Sequence, residues 1–411
     1  LNDNIPAYFF MCIIVALFMG MTVSAEEIVR DQKILKREQF LALSKLSYFS
    51  SKVSLLFIIS AIQTICFVLI GNYVLDIRGL YFEHWFMLFT TSCFANMLGL
   101  NISASFNSAV TIYIMIPLLL IPQLVLSGAL FSFEKLNKYI GSEDKVPYIA
   151  DLMTSRWAFE AIAVEQYINN RYEKEFYELE KAESFYDFRQ VYILPELETK
   201  IEQCVEIISL DDKDKRDKFN YNLKLISNVL LKEKSLINDA GLTCPEFIKD
   251  IESKNIGLNE LDSLSSYIKR LKTFCGEEFS KANSVLSDKI YLIQQKDRDM
   301  YRKWRQTHFN EALAKNLKKT YSTRRYIESN AQLIQQIDPV YRDPVPNNSI
   351  DYRAHFYSPK KHLFGYYFST YWFNICVIWL FSILLYLSLY FRLFKYSIEK
   401  VSSLLSKFIN R

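Results

Sequence analysis

Apolar and polar positions are segregated along this chain rather than mixed. Residues 1–133 and 364–391 are mostly apolar, interrupted chiefly by a charged link at 26–52, whereas 165–363 are densely charged. Within the first block, fifty consecutive residues, 84–133, hold no Asp, Glu, Lys or Arg. A helix crossing a membrane needs about 20 apolar residues, and a soluble core element ends after about 10–15. The block therefore predicts two crossings with a tight turn, Ser105-Phe106-Asn107-Ser108, between them. Five spans are predicted in all: about 5–25, 53–75, 84–104, 109–131 and 368–391. The fold class expected is all-α, a polytopic helical membrane bundle carrying a helical extracytoplasmic domain.

The polar segment has its own periodicity. From about 156 to 336, Gly and Pro are scarce and apolar residues recur three and four apart, the spacing of amphipathic helices. Leu197, Ile201, Val205 and Ile208 make one stripe, Phe219, Leu223, Ile226 and Leu230 a second, and Leu286, Ile290 and Ile293 a third. Asp211-Asp212-Lys213-Asp214-Lys215 separates the first two, and Gly241 with Pro245 closes the second. Antiparallel helices follow, as a bundle or a coiled-coil hairpin, ending at the turn-rich 338–348. The domains expected are spans with their link at 1–133, a re-entrant outer segment at 134–165, a helical insert at 166–363, and the last span with a basic tail at 364–411.

Charge placement adds orientation. The 26–52 link carries Arg30, Lys33, Lys36, Arg37, Lys45 and Lys52, and the tail carries Arg392, Lys395, Lys400, Lys407 and Arg411. Five spans put both on one side, which the excess of Lys and Arg in short loops makes cytoplasmic. The insert then faces outward, to the periplasm or exterior if the membrane is a bacterial inner membrane. The net charge of +4 gives no reason to invoke nucleic acid. Seven cysteines and four scattered histidines show no metal-ligand spacing. Cys204, Cys244 and Cys275 lie in the insert, and a Cys244–Cys275 bridge would suit an oxidising compartment. The chain starts at Leu1 with no leader pattern, so the expectation is the C-terminal part of a longer protein.

Polar residues inside spans are costly in lipid and should face the bundle or a cavity. Gln63, Thr64, Asn96, Asn101 and Asn107 are either interhelical hydrogen-bonding groups or the lining of a translocation path. Phe9, Phe10, Phe18, Met19, Met115 and Leu119 are either packing or an apolar cavity wall. Pro117 and Pro122 each remove a backbone donor and suit a bent span. In the link, Glu26 and Glu27 can both reach Arg30 at helical spacing. Glu27 with Asp31 and Lys33 with Arg37 are like-charge pairs that would accept an outside partner. The segment reads either as a solvated loop or as an amphipathic helix on the membrane surface.

This acidic residue closing a span, followed by a basic amphipathic stretch ending Arg37-Glu38, resembles the connecting helix of ABCG (White-type) ABC exporters. Leu46-Ser47-Tyr48-Phe49-Ser50-Ser51-Lys52 is similar to that family's coupling turn. Pro122-Gln123-Leu124-Val125-Leu126-Ser127-Gly128 with Phe133-Glu134-Lys135-Leu136 resembles the end of its fifth span. Ser155-Arg156-Trp157-Ala158-Phe159-Glu160-Ala161 resembles its re-entrant outer segment. The resemblance covers 1–165 and 364–411. It implies the permease part of an ATP-driven exporter of a hydrophobic or amphipathic substrate, working as a homo- or heterodimer in the lipid bilayer. ATP and Mg would sit on a nucleotide-binding domain, since no GxxxxGK[ST] string occurs here. Glu26, Arg30, Asp31, Arg37 and Glu38 would transmit its motion. Phe18, Met19, Gln63, Asn96, Asn101, Met115 and Leu119 would line the substrate path. The insert has no counterpart in the family and would dock an outer protein partner, cap the exit, or serve folding. The competing class is a non-transporting anchor, scaffold or sensor displaying a helical ectodomain.

Overall fold

A computed structural model describes residues 3–31, 44–106, 108–133, 136, 144–210, 215–242, 245, 248, 256–397 and 400. The chain is mostly helical, in this order: α1 (Ile5–Ala25), α2 (Lys45–Val74), α3 (Tyr81–Ser105), α4 (Ala109–Val125), α5 (Tyr148–Asp151), α6 (Thr154–Ile168), α7 (Tyr177–Phe188), α8 (Leu194–Ser209), α9 (Arg216–Lys232), α10 (Lys234–Asp239), α11 (Leu258–Lys296), α12 (Arg298–His308), α13 (Glu311–Lys318), the hairpins β1 (Tyr326–Ser329) with β2 (Gln332–Gln335) and β3 (Lys360–Leu363) with β4 (Tyr366–Ser369), and α14 (Thr370–Phe391). Two compact units emerge. One comprises Leu1–Arg171, Arg305–Ala314 and Asp343–Arg411, the other Tyr172–Trp304 and Lys315–Arg342. Residues 343–363, expected in the insert, thus pack with the first unit.

Among the described residues, four helices of the first unit have the length and hydropathy to cross a membrane: Ile5–Asp31, which continues α1, then α2, α3 and α14. The remaining apolar helix, α4, stops at Val125 after 17 residues, rather than continuing to 131. At ~1.5 Å per residue it is about 26 Å long, near the lower limit for a span. It ends because the chain turns at Gly128, whose φ of +76° suits glycine. A Cβ there would lie 2.7 Å from Phe356 and 2.8 Å from Phe133. Those two rings pack edge-to-face at 5.1 Å over the turn.

Helix α3 is the central pillar. In contrast to α2 and α14, it is buried on nearly every face, with α1, α2 and α14 around it. Small residues let α1 approach it closely: a Cβ on Gly20 would meet Ala95 Cβ and the Ser92 carbonyl at 2.7 Å, and one on Gly99 would meet Ser24 Oγ at 2.0 Å. Where lipid removes the hydrophobic drive between helices, such close backbone packing supplies the attraction. Ser24 Oγ meanwhile donates to its own helix at the Gly20 carbonyl, 2.8 Å away.

The second unit is a helical bundle with its own apolar core. Leu197, Ile201 and Cys204 of α8, Leu223, Ile226 and Leu230 of α9, and Leu261, Leu264, Ile268, Leu271 and Cys275 of α11 fill it. The α11 contribution follows a 3-4-3-4 spacing, the seam of a heptad. The expected stripe Leu286, Ile290 and Ile293 lies on the same helix but is only half-buried. Gly241, at φ +64°, follows α10 rather than closing α9, which carries the second stripe and ends at Lys232.

Two segments differ from the helical expectation. Residues 326–335 form a hairpin, because Asn330 and Ala331 both adopt positive φ, 51° and 54°, the geometry of a two-residue turn between strands. Phe364 and Gly365 do the same at 52° and 85°, so α14 starts at Thr370 rather than 368. Cys275 is a buried thiol. Cys244 lies outside the described residues, and so does the pairing expected for it.

Replacing Gly99 by Leu should drive α1 from α3. The expected result is a lowered thermal midpoint of the detergent-purified protein, with overpacking worth about 1–3 kcal/mol or more. An unchanged midpoint would contradict the close packing.

Candidate functional site

The first unit holds two clusters of charged and polar side chains. One gathers around the α1 extension. At Glu26 the helix loosens for one residue and resumes to Asp31, and this segment is tied to three other helices. Lys52 of α2 lies 2.7 Å from both Glu27 and Asp31. Tyr48 Oη donates to Asp31 at 3.2 Å. The Ser103 hydroxyl, on the last turn of α3, accepts from the backbone N–H groups of Ile28 and Val29 at 3.1 Å each. Tyr113 of α4 donates to Glu26 at 2.7 Å.

Sequence spacing placed Glu26 and Glu27 within reach of Arg30. Glu27 does pair with it, at 3.1 Å, but Glu26 turns to Tyr113 instead. Arg30 remains largely exposed. The like-charge pair Glu27 and Asp31 finds its cation within the chain, at Lys52. Arg37 and Glu38, also expected in this network, lie outside the described residues, as does much of the 26–52 link.

The second cluster joins α6 to the last span. Glu160, fully buried on α6, receives Lys361 of β3 at 2.7 Å, the Tyr357 N–H at 3.1 Å and Asn374 Nδ2 of α14 at 3.3 Å. Arg156, one turn earlier, lies 3.6 Å from Glu160 and 3.5 Å from Asp151. Its guanidinium stacks on Trp157, 3.9 Å from the ring centroid. Trp157 Nε1 donates to the Asp151 carbonyl at 2.7 Å. Two cations and two carboxylates therefore balance in a buried site. Burial pushes the Glu160 carboxyl up, but Lys361 and Arg156 more than offset it and hold it below the usual range. Asp151 goes the other way: burial raises it, and Arg156, Lys361 and Arg353 offset only part.

The cluster is anchored by a reciprocal cap between α4 and α6. The N–H of Ser155, in the first turn of α6, donates to Gln123 Oε1 at 2.9 Å, and Ser155 Oγ donates to the Gln123 carbonyl at 2.6 Å. Both backbone groups are among those a helix end leaves without an intrahelical partner. The strings at 122–128 and 155–161, separate in sequence, are thus one structural unit.

Of the residues expected to line a path, Asn96 and Asn101 are buried within the bundle. Asn96 donates to Ser60 of α2 at 2.7 Å, beside a Ser92–Ser60 bond of 2.9 Å. Asn101 donates to the Leu385 carbonyl of α14 at 2.9 Å. Their amide groups are used between helices, which is the packing alternative for such residues. Thr64 bonds back to its own helix at Ser60, and Asn107 is outside the described residues. Phe9 and Phe10 are buried, Phe18 and Met19 are exposed on α1, and Gln63, Met115 and Leu119 are partly exposed. A further polar set went unforeseen: Tyr8 donates to Asn72 at 3.2 Å and Asn72 meets His84 Nδ1 at 3.1 Å, joining α1, α2 and α3. At this end, Ile5, Leu75, Arg78, Gln166 and His308 help line a cleft of about 600 Å³.

Residues 1–167 match the family model of the ABC-2 type transporter. That stretch is similar to the membrane domain of an ABC-2 type transporter. No curated protein and no solved structure matches the chain.

Glu160→Gln leaves Lys361 buried without its counter-charge, while Arg156 keeps Asp151, and should cost about 3–5 kcal/mol. Glu160→Gln with Lys361→Met should recover part of it, and strict additivity in denaturant unfolding would refute the pairing. Because its folded pKa is depressed, Glu160 contributes stability above its unfolded value of about 4.3. That contribution is lost as pH falls through the lower folded value. The gap between wild type and Glu160→Gln should therefore begin to narrow as pH falls below about 4.3.

Proposed function

We propose that this chain is the permease part of an ABCG-like ATP-driven exporter that moves a hydrophobic or amphipathic substrate outward. The observation that carries the reading is the cluster at the α1 extension. One short helical segment is bonded to the Lys52 end of α2, the Ser103 end of α3 and the Tyr113 end of α4. A nucleotide-binding domain that pushes on this segment moves three spans together, because charged and hydrogen-bonded contacts in a partly desolvated site resist sliding. The basic 26–52 link and tail put this end on the cytoplasmic side, where such a domain acts. It is either upstream in the same protein or a separate chain.

In this reading Glu26, Arg30 and Asp31, with Arg37 and Glu38 beyond them, form the transmission surface. Arg30, paired with Glu27 but largely exposed, meets the nucleotide-binding domain. Phe18 and Met19 on α1, with Met115 and Leu119 on α4, face the substrate. A second half, identical or related, closes the cavity, and the cleft at the Ile5 end is the outer exit. The helical second unit serves as a docking surface for an outer protein partner. Asn96 and Asn101 hold helices together through their amide nitrogens.

Lys52→Met tests the reading in the complete transporter, reconstituted with its nucleotide-binding domain. It removes the bridge while keeping the apolar stem. The expected result is basal ATP hydrolysis within about twofold of wild type and transport lowered by tenfold or more, a loss of about 1.4 kcal/mol in coupling. Equal transport by the two proteins would overturn the role of the cluster.

A further inference from the structure

The second unit holds a cluster of acids that neither the coupling cluster nor the apolar core uses. One face of α7 carries Glu180, Glu183 and Asp187, three and four positions apart. Opposite this face, the stretch 318–341 is fastened to the helix. Tyr177 Oη donates to the Val340 carbonyl at 2.8 Å, and Ser184 Oγ donates to Asp338 Oδ2 at 3.1 Å. Lys318 Nζ donates to Glu180 Oε2 at 2.9 Å, and Tyr341 Oη donates to the same oxygen. The Tyr177 and Tyr341 rings pack 5.6 Å apart beside them. Just before α7, in the 3-10 turn Glu173–Glu175, Glu173 is fully buried and its carboxyl lies against that of Glu180.

Two carboxyl groups in buried contact resist ionising together, and an ionised carboxylate has no hydrogen to donate. Glu180 is the ionised member. Burial pushes its carboxyl up, but Lys318, Tyr341 and Glu173 more than offset it and hold it below the usual range. We propose that Glu173 is a protonated acid at neutral pH and that its proton locks 318–341 onto α7. Glu173 donates to Glu180, which also accepts from Lys318 and Tyr341, so one proton completes the set. Without it, Glu173 and Glu180 are two anions facing one lysine. Glu183 and Asp338 add charge of the same sign, with Asp187 and Arg325 also acting on Asp338. A glutamic acid in the unfolded chain loses its proton near about pH 4.3. Glu173 keeps it in the fold, so its contribution is present at low and neutral pH and is lost as pH rises through the folded value. This is the reverse of Glu160, whose contribution is lost as pH falls. The inference rests on the second unit alone and is independent of the exporter reading.

The test uses the full protein in detergent and the variant Glu173→Gln, whose carboxamide keeps the shape and a donor. Infrared spectra of wild type at neutral pH should show the carbonyl stretch of a protonated carboxylic acid that Glu173→Gln lacks and Glu183→Gln retains. In wild type alone, that band should vanish on alkaline titration as the 318–341 amides begin to exchange faster with solvent deuterium, a result that does not depend on how any variant folds. At about pH 6 the two proteins should exchange these amides within about twofold of each other, and above the Glu173 value wild type should outrun Glu173→Gln about tenfold per pH unit, the slope of one proton. No band difference between wild type and Glu173→Gln at neutral pH means that Glu173 holds no proton. A band lost in Glu183→Gln instead places the proton elsewhere. Exchange that stays equal in wild type and Glu173→Gln throughout the alkaline range in which both remain folded means that the proton locks nothing. Any of these three results overturns the proposal.

Discussion

The buried Glu160–Lys361 pair is the contact on which the first unit depends. It ties together three segments far apart in sequence: α6, the β3 strand of the returning chain, and, through Asn374, the last span. Two charges removed from water are costly, and their attraction offsets that cost only when the remaining hydrogen-bonding sites are filled. Here the Tyr357 N–H, Asn374 and Arg156 fill the Glu160 side. A membrane domain interrupted by a large polar segment must bring its last helix back to the correct place. Specific charge pairing at the point of return does this with a selectivity that apolar packing in lipid cannot provide.

The opposite cluster has a different character. Lys52, Glu27 and Asp31 are partly exposed, so the pairs among them contribute modestly to stability and respond to salt. That suits a joint that must transmit movement, just as full burial suits the Glu160 site that must hold. Between these clusters, α1 and α3 are locked by Gly20, Ser24, Ser92, Ala95 and Gly99. The bundle is therefore stiff along its central pair and adjustable at one end. In the exporter reading, that distribution lets a push on the α1 extension travel as a rigid-body motion rather than dissipate as local bending.

Much of the helical plan was legible in the sequence, because membrane spans announce themselves by length and charge depletion. The start and end of α1 follow directly from Ile5–Ala25. The early stop of α4 was harder to read: Leu130, Phe131 and Phe133 continue the apolar run, and only the positive φ at Gly128 reveals the turn. The two hairpins were missed for a related reason. Their strands are four residues long, too short for alternation to register, and the signal resides in the turn pairs Asn330-Ala331 and Phe364-Gly365. On α11, the stripe Leu286, Ile290 and Ile293 has the same helical spacing as the buried heptad at 261–275, and only the burial set by the fold separates them. Among site residues, the motif at 155–161 was visible, but not its partners. Nothing in local spacing connects Glu160 with Lys361, 201 positions later, or Glu26 with Tyr113. Long-range ion pairs are decided by the fold.

The exporter proposal requires outward, ATP-driven movement through this bundle. The most direct measurement is uptake of a fluorescent amphipathic cation into inside-out vesicles containing the full transporter with its nucleotide-binding domains. The account predicts accumulation that requires hydrolysable ATP and Mg and stops with vanadate. Folded, ATP-hydrolysing protein that leaves a panel of amphipathic and lipid substrates equally distributed across the membrane would contradict it, and would favour an anchor that displays its helical unit.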